Sequence, residues 1–264
     1  MYRAQNVGFQ QSTNEVSVVC IVTLHIQYLY PSKFVKFYRV FPIDGDNPMH
    51  PLLETIKQDG VVAVTRGNFP PDVVLALAET LLKEEIHTLE LTINSVQPLD
   101  ALRALKREFG DSLAVGMGTV LKEDDARAAL DAGADFIVSP AFQPRIVTLV
   151  QKAGRPMIPG VMTPTEAVQA WEMGLELLKL FPIGALGVEY FKAFFAPLDH
   201  MRFMCNGAMN ERNTIELLRA GAFAVGMGGW LTGDGTWSEE QIRQRARTLK
   251  AAIYTAHDPY THFT

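Results

Sequence analysis

One unit recurs through most of this 264-residue chain: an amphipathic helical stretch that ends at or near a glycine, followed by a short β-branched or apolar run. That alternation constrains the fold sharply, because short apolar strands joined by helical crossovers form a parallel sheet covered on both faces. The strands read as 60–66 (GVVAVTR), 87–93 (HTLELTI), 113–118 (LAVGMG), 135–139 (DFIVS), 156–160 (PMIPG), 176–181 (ELLKLF), 201–205 (MRFMC) and 223–228 (FAVGMG). Helix starts are marked by Pro70, Pro71 and Asp72, by Thr163, Pro164 and Glu166, and by Ser238, Glu239 and Glu240. Early prolines and acidic or hydroxyl side chains suit the first turn, where backbone N–H groups have no helical partner. Stops fall at Gly133, Gly174 and Gly221, in DAGADF, EMGLEL and RAGAFA, where a left-handed cap is wanted. Eight such units predict an α/β fold of the (β/α)8 TIM-barrel type, which takes ~250 residues. The alternative is a doubly wound open sheet, but no GxGxxG follows the first strand.

Composition narrows the partners. With 48% hydrophobic residues the chain can fill one large core, and a formal net charge of −5 gives no basic stripe for nucleic acid. The six histidines are scattered, and Cys20 and Cys205 are the only cysteines. Neither a disulfide framework nor a zinc spacing results, so a reduced cytoplasmic setting with no metal and no cofactor is expected. Residues 1–48 differ in texture from the rest. Their apolar run from Val16 to Tyr30 is interrupted by His25 and Gln27 and is shorter than the ~18–20 residues a membrane span needs. The expected organisation is an N-terminal extension, 1–48, without a catalytic part or a membrane role, and a barrel domain over 49–264.

The residue that points to chemistry is Lys179, alone in the apolar run ELLKLFP. Desolvation disfavours the charged form of an amine, and a neutral amine can attack a ketone to form a Schiff base. A lysine at a strand end that snorkels to solvent is the plainer reading. Barrel active sites lie at the C-terminal ends of the strands. By the period of two, Glu90, Thr92 and Asn94 share one face of the second strand, while Leu89, Leu91 and Ile93 share the other. In the sixth strand Lys179 shares its face with Leu177 and Phe181, opposite Leu178 and Leu180. Glu90 and Lys179 are thus both aimed into the barrel. A structural ion pair is the competing reading, but desolvated pairs add little stability and ionisable groups in such places cluster at functional sites.

The segments ELTINS, GMGTV, SPAF, PGVMTPTE and LKLFP, in this order, resemble the class I 2-keto-3-deoxy-6-phosphogluconate and 4-hydroxy-2-oxoglutarate aldolase family, including its phosphogalactonate branch. The resemblance spans about residues 52 to 256. It implies a homotrimeric barrel that takes a small keto acid and cleaves it reversibly to pyruvate and an aldehyde without a metal. It also implies Lys179 as the Schiff-base lysine, Glu90 as general acid and base, Thr119 as the holder of the pyruvate carboxylate, and Arg66 as a substrate-binding arginine. Pro140 and Phe181 match apolar pocket walls. From the residues alone, a surface salt bridge at a strand end is the lesser alternative for Arg66, and Pro140 and Phe181 could equally be plain core.

Departures bear on the substrate. Asn94, in TINS, stands where gluconate-type members carry an arginine, as in the galactonate branch; it can hydrogen-bond but brings no charge. After the seventh strand the chain reads Asn206, Gly207, Ala208 where TGG or VGG is usual, and after the eighth Gly229 replaces a serine. Gly207, Gly228 and Gly229 keep a backbone phosphate site feasible, while the lost hydroxyl and the Ala208 methyl weaken it. Two other functions remain open: a phosphate-binding isomerase or epimerase, which would not need Lys179, and an inactive barrel serving as a binding module, against which Glu90, Thr119 and Lys179 all argue.

Overall fold

In the computed structural model, which describes residues 49–257, short parallel strands alternate with helices. The expected N-terminal extension lies outside the described residues. The strands are β1 (Val61–Thr65), β2 (Thr88–Thr92), β3 (Ala114–Gly118), β4 (Phe136–Val138), β5 (Met157–Ile158), β6 (Gly160–Val161), β7 (Leu178–Leu180), β8 (Phe203–Asn206) and β9 (Ala224–Met227). Helix α1 (Pro51–Asp59) precedes β1. Between successive strands run α2 (Pro71–Lys83), α3 (Pro98–Phe109), α4 (Glu123–Asp131), α5 (Pro144–Lys152), α6 (Pro164–Trp171), α7 (Ile183–Phe195) and α8 (Glu211–Arg219). A short α9 (Gly229–Thr232) and a long α10 (Glu239–His257) follow β9.

Every pairing is parallel, in the order β5-β4-β3-β2-β1-β9-β8-β7-β6. The two ends of that order are halves of one stave. Pro159 separates β5, which pairs with β4, from β6, which pairs with β7. Proline has no N–H for the ladder, so the stave expected over 156–160 divides there. Its carbonyl still accepts from the Lys179 N–H at 2.9 Å. Eight staves in nine pieces therefore make the nearly closed barrel that the sequence predicts.

Apolar residues fall into two layers set by the strand period. Leu89, Leu91, Leu178 and Leu180 face the helices in the outer layer, as expected. Inside the barrel, Val62, Phe136, Val138, Ile158, Leu177, Met204 and Ala224 form a second cluster with Leu52, Leu53 and Ile56 of α1. Helix α1, capped by His50 and ended by Gly60, thus plugs the N-terminal mouth of the barrel. Burying each such side chain contributes about 1.5–3 kcal/mol. The plug leaves polar positions to the opposite, C-terminal half. The helix stops at Gly133, Gly174 and Gly221 all have positive φ, as their sequence contexts predict. At the start of α10, Gln241 is the reciprocal partner of Ser238, a role the neighbouring glutamates do not take. Among the described residues no helix is long and apolar enough to cross a membrane.

Candidate active site

Glu90 and Lys179 reach the barrel interior from β2 and β7, above the apolar plug. Glu90 is fully buried and Lys179 is 4% exposed. Lys179 Nζ lies 3.8 Å from Glu90 Oε1, near enough for strong attraction but beyond hydrogen-bonding reach. Both Glu90 oxygens are buried without a hydrogen-bond partner. A pair kept for stability would close to contact and satisfy its other lone pairs, because each buried ion gives up several kcal/mol of hydration. This arrangement instead leaves both carboxylate oxygens without a hydrogen-bond partner and an amine beside one of them. Gly118 of β3 makes room for it, since a Cβ there would run into the Glu90 carboxyl group. The ammonium also lies 5.3 Å from the centre of the Phe181 ring, a cation–π contact.

At the C-terminal rim Arg66 is exposed just beyond β1, and its Nη2 donates to Thr119 Oγ1 over 3.4 Å. Thr119 follows β3 with φ 61, in the left-handed region. That conformation costs a β-branched residue about 1–2 kcal/mol and is the kind of strain that collects at functional sites. Asn94 is exposed in the turn after β2, and Pro140 and Phe181 are half-buried. Gly160 admits the Pro140 carbonyl closely, leaving no space for a side chain.

Asn206 is where the sequence reading and the structure differ in detail. Expected in the loop, it is the last residue of β8, buried, with an Oδ1 that has no partner. Two residues beyond Met204, it shares that inward face, and Gly226 leaves the space its amide fills. Gly207 and Ala208 follow with φ 95 and 51, and Gly228 and Gly229 lead into α9. The residues singled out from sequence therefore form an inner group, Glu90, Lys179 and Asn206, and a rim group, Arg66, Thr119, Asn94, Gly207, Gly228 and Gly229.

Two supporting residues escaped the sequence reading. Ser95 pairs with Thr92 Oγ1 at 2.7 Å and accepts from the Gly67 N–H at 3.0 Å, tying the Arg66 loop to the end of β2. Glu166, read only as a helix-start marker, accepts from the Met162 and Thr163 N–H groups, each at 2.9 Å, and from Thr163 Oγ1 at 3.0 Å. The Met162 bond, then those from Thr163, hold the Glu166 carboxyl below its ordinary range against the opposing effect of burial. Tyr190 of α7 donates to the Met162 carbonyl and so braces the same loop. The Ser95 and Tyr190 contacts join segments 28 residues apart and are not visible in the sequence, whereas Thr163 and Glu166 have the spacing of a capping box. Among the described residues no three potential metal-ligating side chains gather together.

Residues 52–247 match the aldolase family described as KDPG and KHG aldolase. The chain belongs to that family. Its members named here include the 2-dehydro-3-deoxy-phosphogluconate aldolase of Treponema pallidum, 32% identical over 181 residues, covering 68% of this chain and 85% of that protein. The 2-dehydro-3-deoxy-6-phosphogalactonate aldolase of Escherichia coli K12 is 32% identical over 193 residues, covering 72% and 93%. Among solved structures, a native KDPGal structure superposes with a TM-score of 0.71 at 30% identity, over 74% of this chain and 95% of that one. KDPG aldolase from Legionella pneumophila, with pyruvate captured as a covalent carbinolamine, gives a TM-score of 0.65 at 26% identity, over 78% and 98%. Family membership makes this chain an aldolase, a carbon–carbon lyase.

Proposed function

We propose that this barrel is a Schiff-base aldolase of 2-keto-3-deoxy sugar acids, 6-phosphorylated or not, or of 4-hydroxy-2-oxoglutarate. The products are pyruvate and an aldehyde such as glyceraldehyde 3-phosphate or glyoxylate. The observation that carries this reading is the buried amine 3.8 Å from a carboxylate whose two oxygens have no protein partner. The Lys179 amine attacks C2 of the keto acid, and Glu90 carries the protons that let the carbinolamine hydroxyl leave as water. In the resulting iminium, the C3–C4 bond breaks and its electron pair flows toward nitrogen. Glu90 takes the proton of the C4 hydroxyl, which becomes the aldehyde carbonyl. The enamine is then protonated at C3, and hydrolysis returns Lys179 and releases pyruvate. Arg66 and Thr119, in contact at the rim, suit the substrate carboxylate. Half-buried Pro140 and Phe181 wall the pocket, with Asn94 and Asn206 available to hydroxyl groups.

Borohydride reduction in the presence of pyruvate should fix one adduct per chain, on the peptide containing Lys179. Lys179→Arg should abolish turnover with the fold intact, because a guanidinium remains charged and is no nucleophile. An adduct on another peptide would remove Lys179 from the mechanism.

The backbone of Gly207, Gly228 and Gly229 supports a modest preference for a 6-phosphorylated substrate. One hydrogen bond to a charged group is worth ~1.5–3 kcal/mol, roughly tenfold or more in binding, and the serine usual at position 229 is absent. Specificity constants for a phosphorylated and an unphosphorylated 2-keto-3-deoxy acid measure it directly. Equal use of the two would assign the protein to unphosphorylated keto acids. The resemblance also carries a homotrimer, which sedimentation equilibrium tests, and the sparse cysteines point to a reduced cytoplasmic setting, which cell fractionation tests.

A further inference from the structure

Arg66 sits in a loop whose two flanks are both held by one distant segment. Before it, the carbonyl of Val64 accepts from Thr232 Oγ1 at 2.8 Å in a buried hydrogen bond. After it, the carbonyl of Asn68 approaches Gly235 so closely that no side chain would fit there. The segment 232–235 therefore brackets Arg66 two residues to either side. It folds back on itself: Asp234 accepts from the Thr236 N–H at 3.0 Å and from the Thr236 hydroxyl, and the Trp237 indole covers Gly233, where a Cβ would collide with the ring.

The fold holds this segment with an unusual device. The guanidinium of Arg245, on α10, lies 4.6 Å from the ring centre of Trp230 and 5.9 Å from that of Trp237. Trp230 belongs to α9 at the near end of the segment and Trp237 lies at its far end. Among the described residues Arg245 is in no ion pair, although its neighbours Arg243 and Arg247 both bind Glu84. Its cation is directed to two aromatic faces, and a guanidinium suits that role because it is planar and weakly hydrated.

We propose that Arg245 is a positioning residue for substrate binding: by engaging Trp230 and Trp237 it fixes the 232–237 segment, and through Val64 and Asn68 it sets the placement of Arg66. This rests on the reading of Arg66 as a ligand for the substrate carboxylate. The test is a double-mutant cycle on pyruvate alone, following exchange of the pyruvate methyl protons with deuterated water, which needs the enamine but no aldehyde. Arg245→Met, similar in length but uncharged, should raise KM for pyruvate about three- to tenfold, the range a cation–π contact can supply, with kcat within about twofold. Arg245→Lys should restore most of the loss. In an Arg66→Ala background the Arg245→Met change should add nothing. Tryptophan emission should shift in Arg245→Met whether or not Arg66 is present.

If Arg66→Ala raises KM but Arg245→Met does not, the inference fails while the carboxylate reading stands. The inference also fails if the two effects simply multiply, or if Arg245→Met lowers kcat and leaves KM alone, since a general loosening of the fold would do either. An unchanged KM in Arg66→Ala alone would remove Arg66 from the carboxylate site, and the inference would fall with it. Should Arg245→Met fold poorly, the same cycle run with Arg245→Gln, which also removes the cation, keeps both outcomes readable.

Discussion

Burying the Glu90 carboxylate with two unpartnered oxygens is costly, and among the described residues its ion-pair partner is the ammonium 3.8 Å away. Glu90→Gln keeps the size and removes the base. It should lower kcat by about a hundredfold or more, since a positioned acid–base group contributes roughly 10² to 10⁴, while pyruvate is still captured by borohydride. Near-normal turnover would remove Glu90 from the mechanism. Gly118 offers an independent check that leaves Glu90 itself unchanged. In Gly118→Ala the new methyl occupies the space of the carboxyl group, so Glu90 must turn away or β3 must shift. Turnover should fall sharply with smaller loss of thermal stability, and a variant with full activity would show that the carboxylate has no fixed position in catalysis. Gly118 and the carboxyl group of Glu90 are thus one feature, written on two neighbouring strands, while Gly116 makes room for Phe136.

At the scale of elements, helix α6 does two jobs with one residue. Glu166 completes a capping box with Thr163 and, through the Met162 N–H, also fastens the end of the stave that pairs with the Lys179 strand. Its folded-state carboxyl is held below the ordinary value of 4.5, so folding favours the ionised form. The stabilisation is therefore complete above the unfolded value and is lost as pH falls through the folded one. Glu166→Gln should lower stability at neutral pH by about 1 kcal/mol, the usual worth of a helix cap, and the difference between variant and parent should shrink below about pH 4.5. Urea unfolding across pH 3–7 would measure it. A constant difference at every pH would mean that the charge of Glu166 is immaterial to the loop.

For the whole molecule, all nine strand pieces and the α1 plug lie within residues 49–257, and no step of the proposed chemistry draws on residues before Met49. A chain beginning at Met49 should fold and keep the turnover of the full chain. Loss of soluble protein on that truncation would make residues 1–48 part of the folding unit. Most of the barrel was legible in the sequence because its causes are local: the period of two in TLELT and LKL assigns each residue to a face, and a glycine with positive φ follows most of the helices, although Glu85 takes that conformation after α2. The inner pair was legible for the same reason, since Glu90 and Lys179 are charges set on the inward phase of apolar strands. What only the tertiary structure decided depends on which distant segments meet. Pro159 divides one stave without breaking the barrel, because neighbours on both sides hold its two halves. Asn206 is an inward strand residue because Gly226 leaves space beside it. Arg245 faces two indoles and Ser95 links two loops, contacts with no periodic signature in the sequence, because closing a barrel brings together residues whose spacing along the chain carries no trace of their proximity.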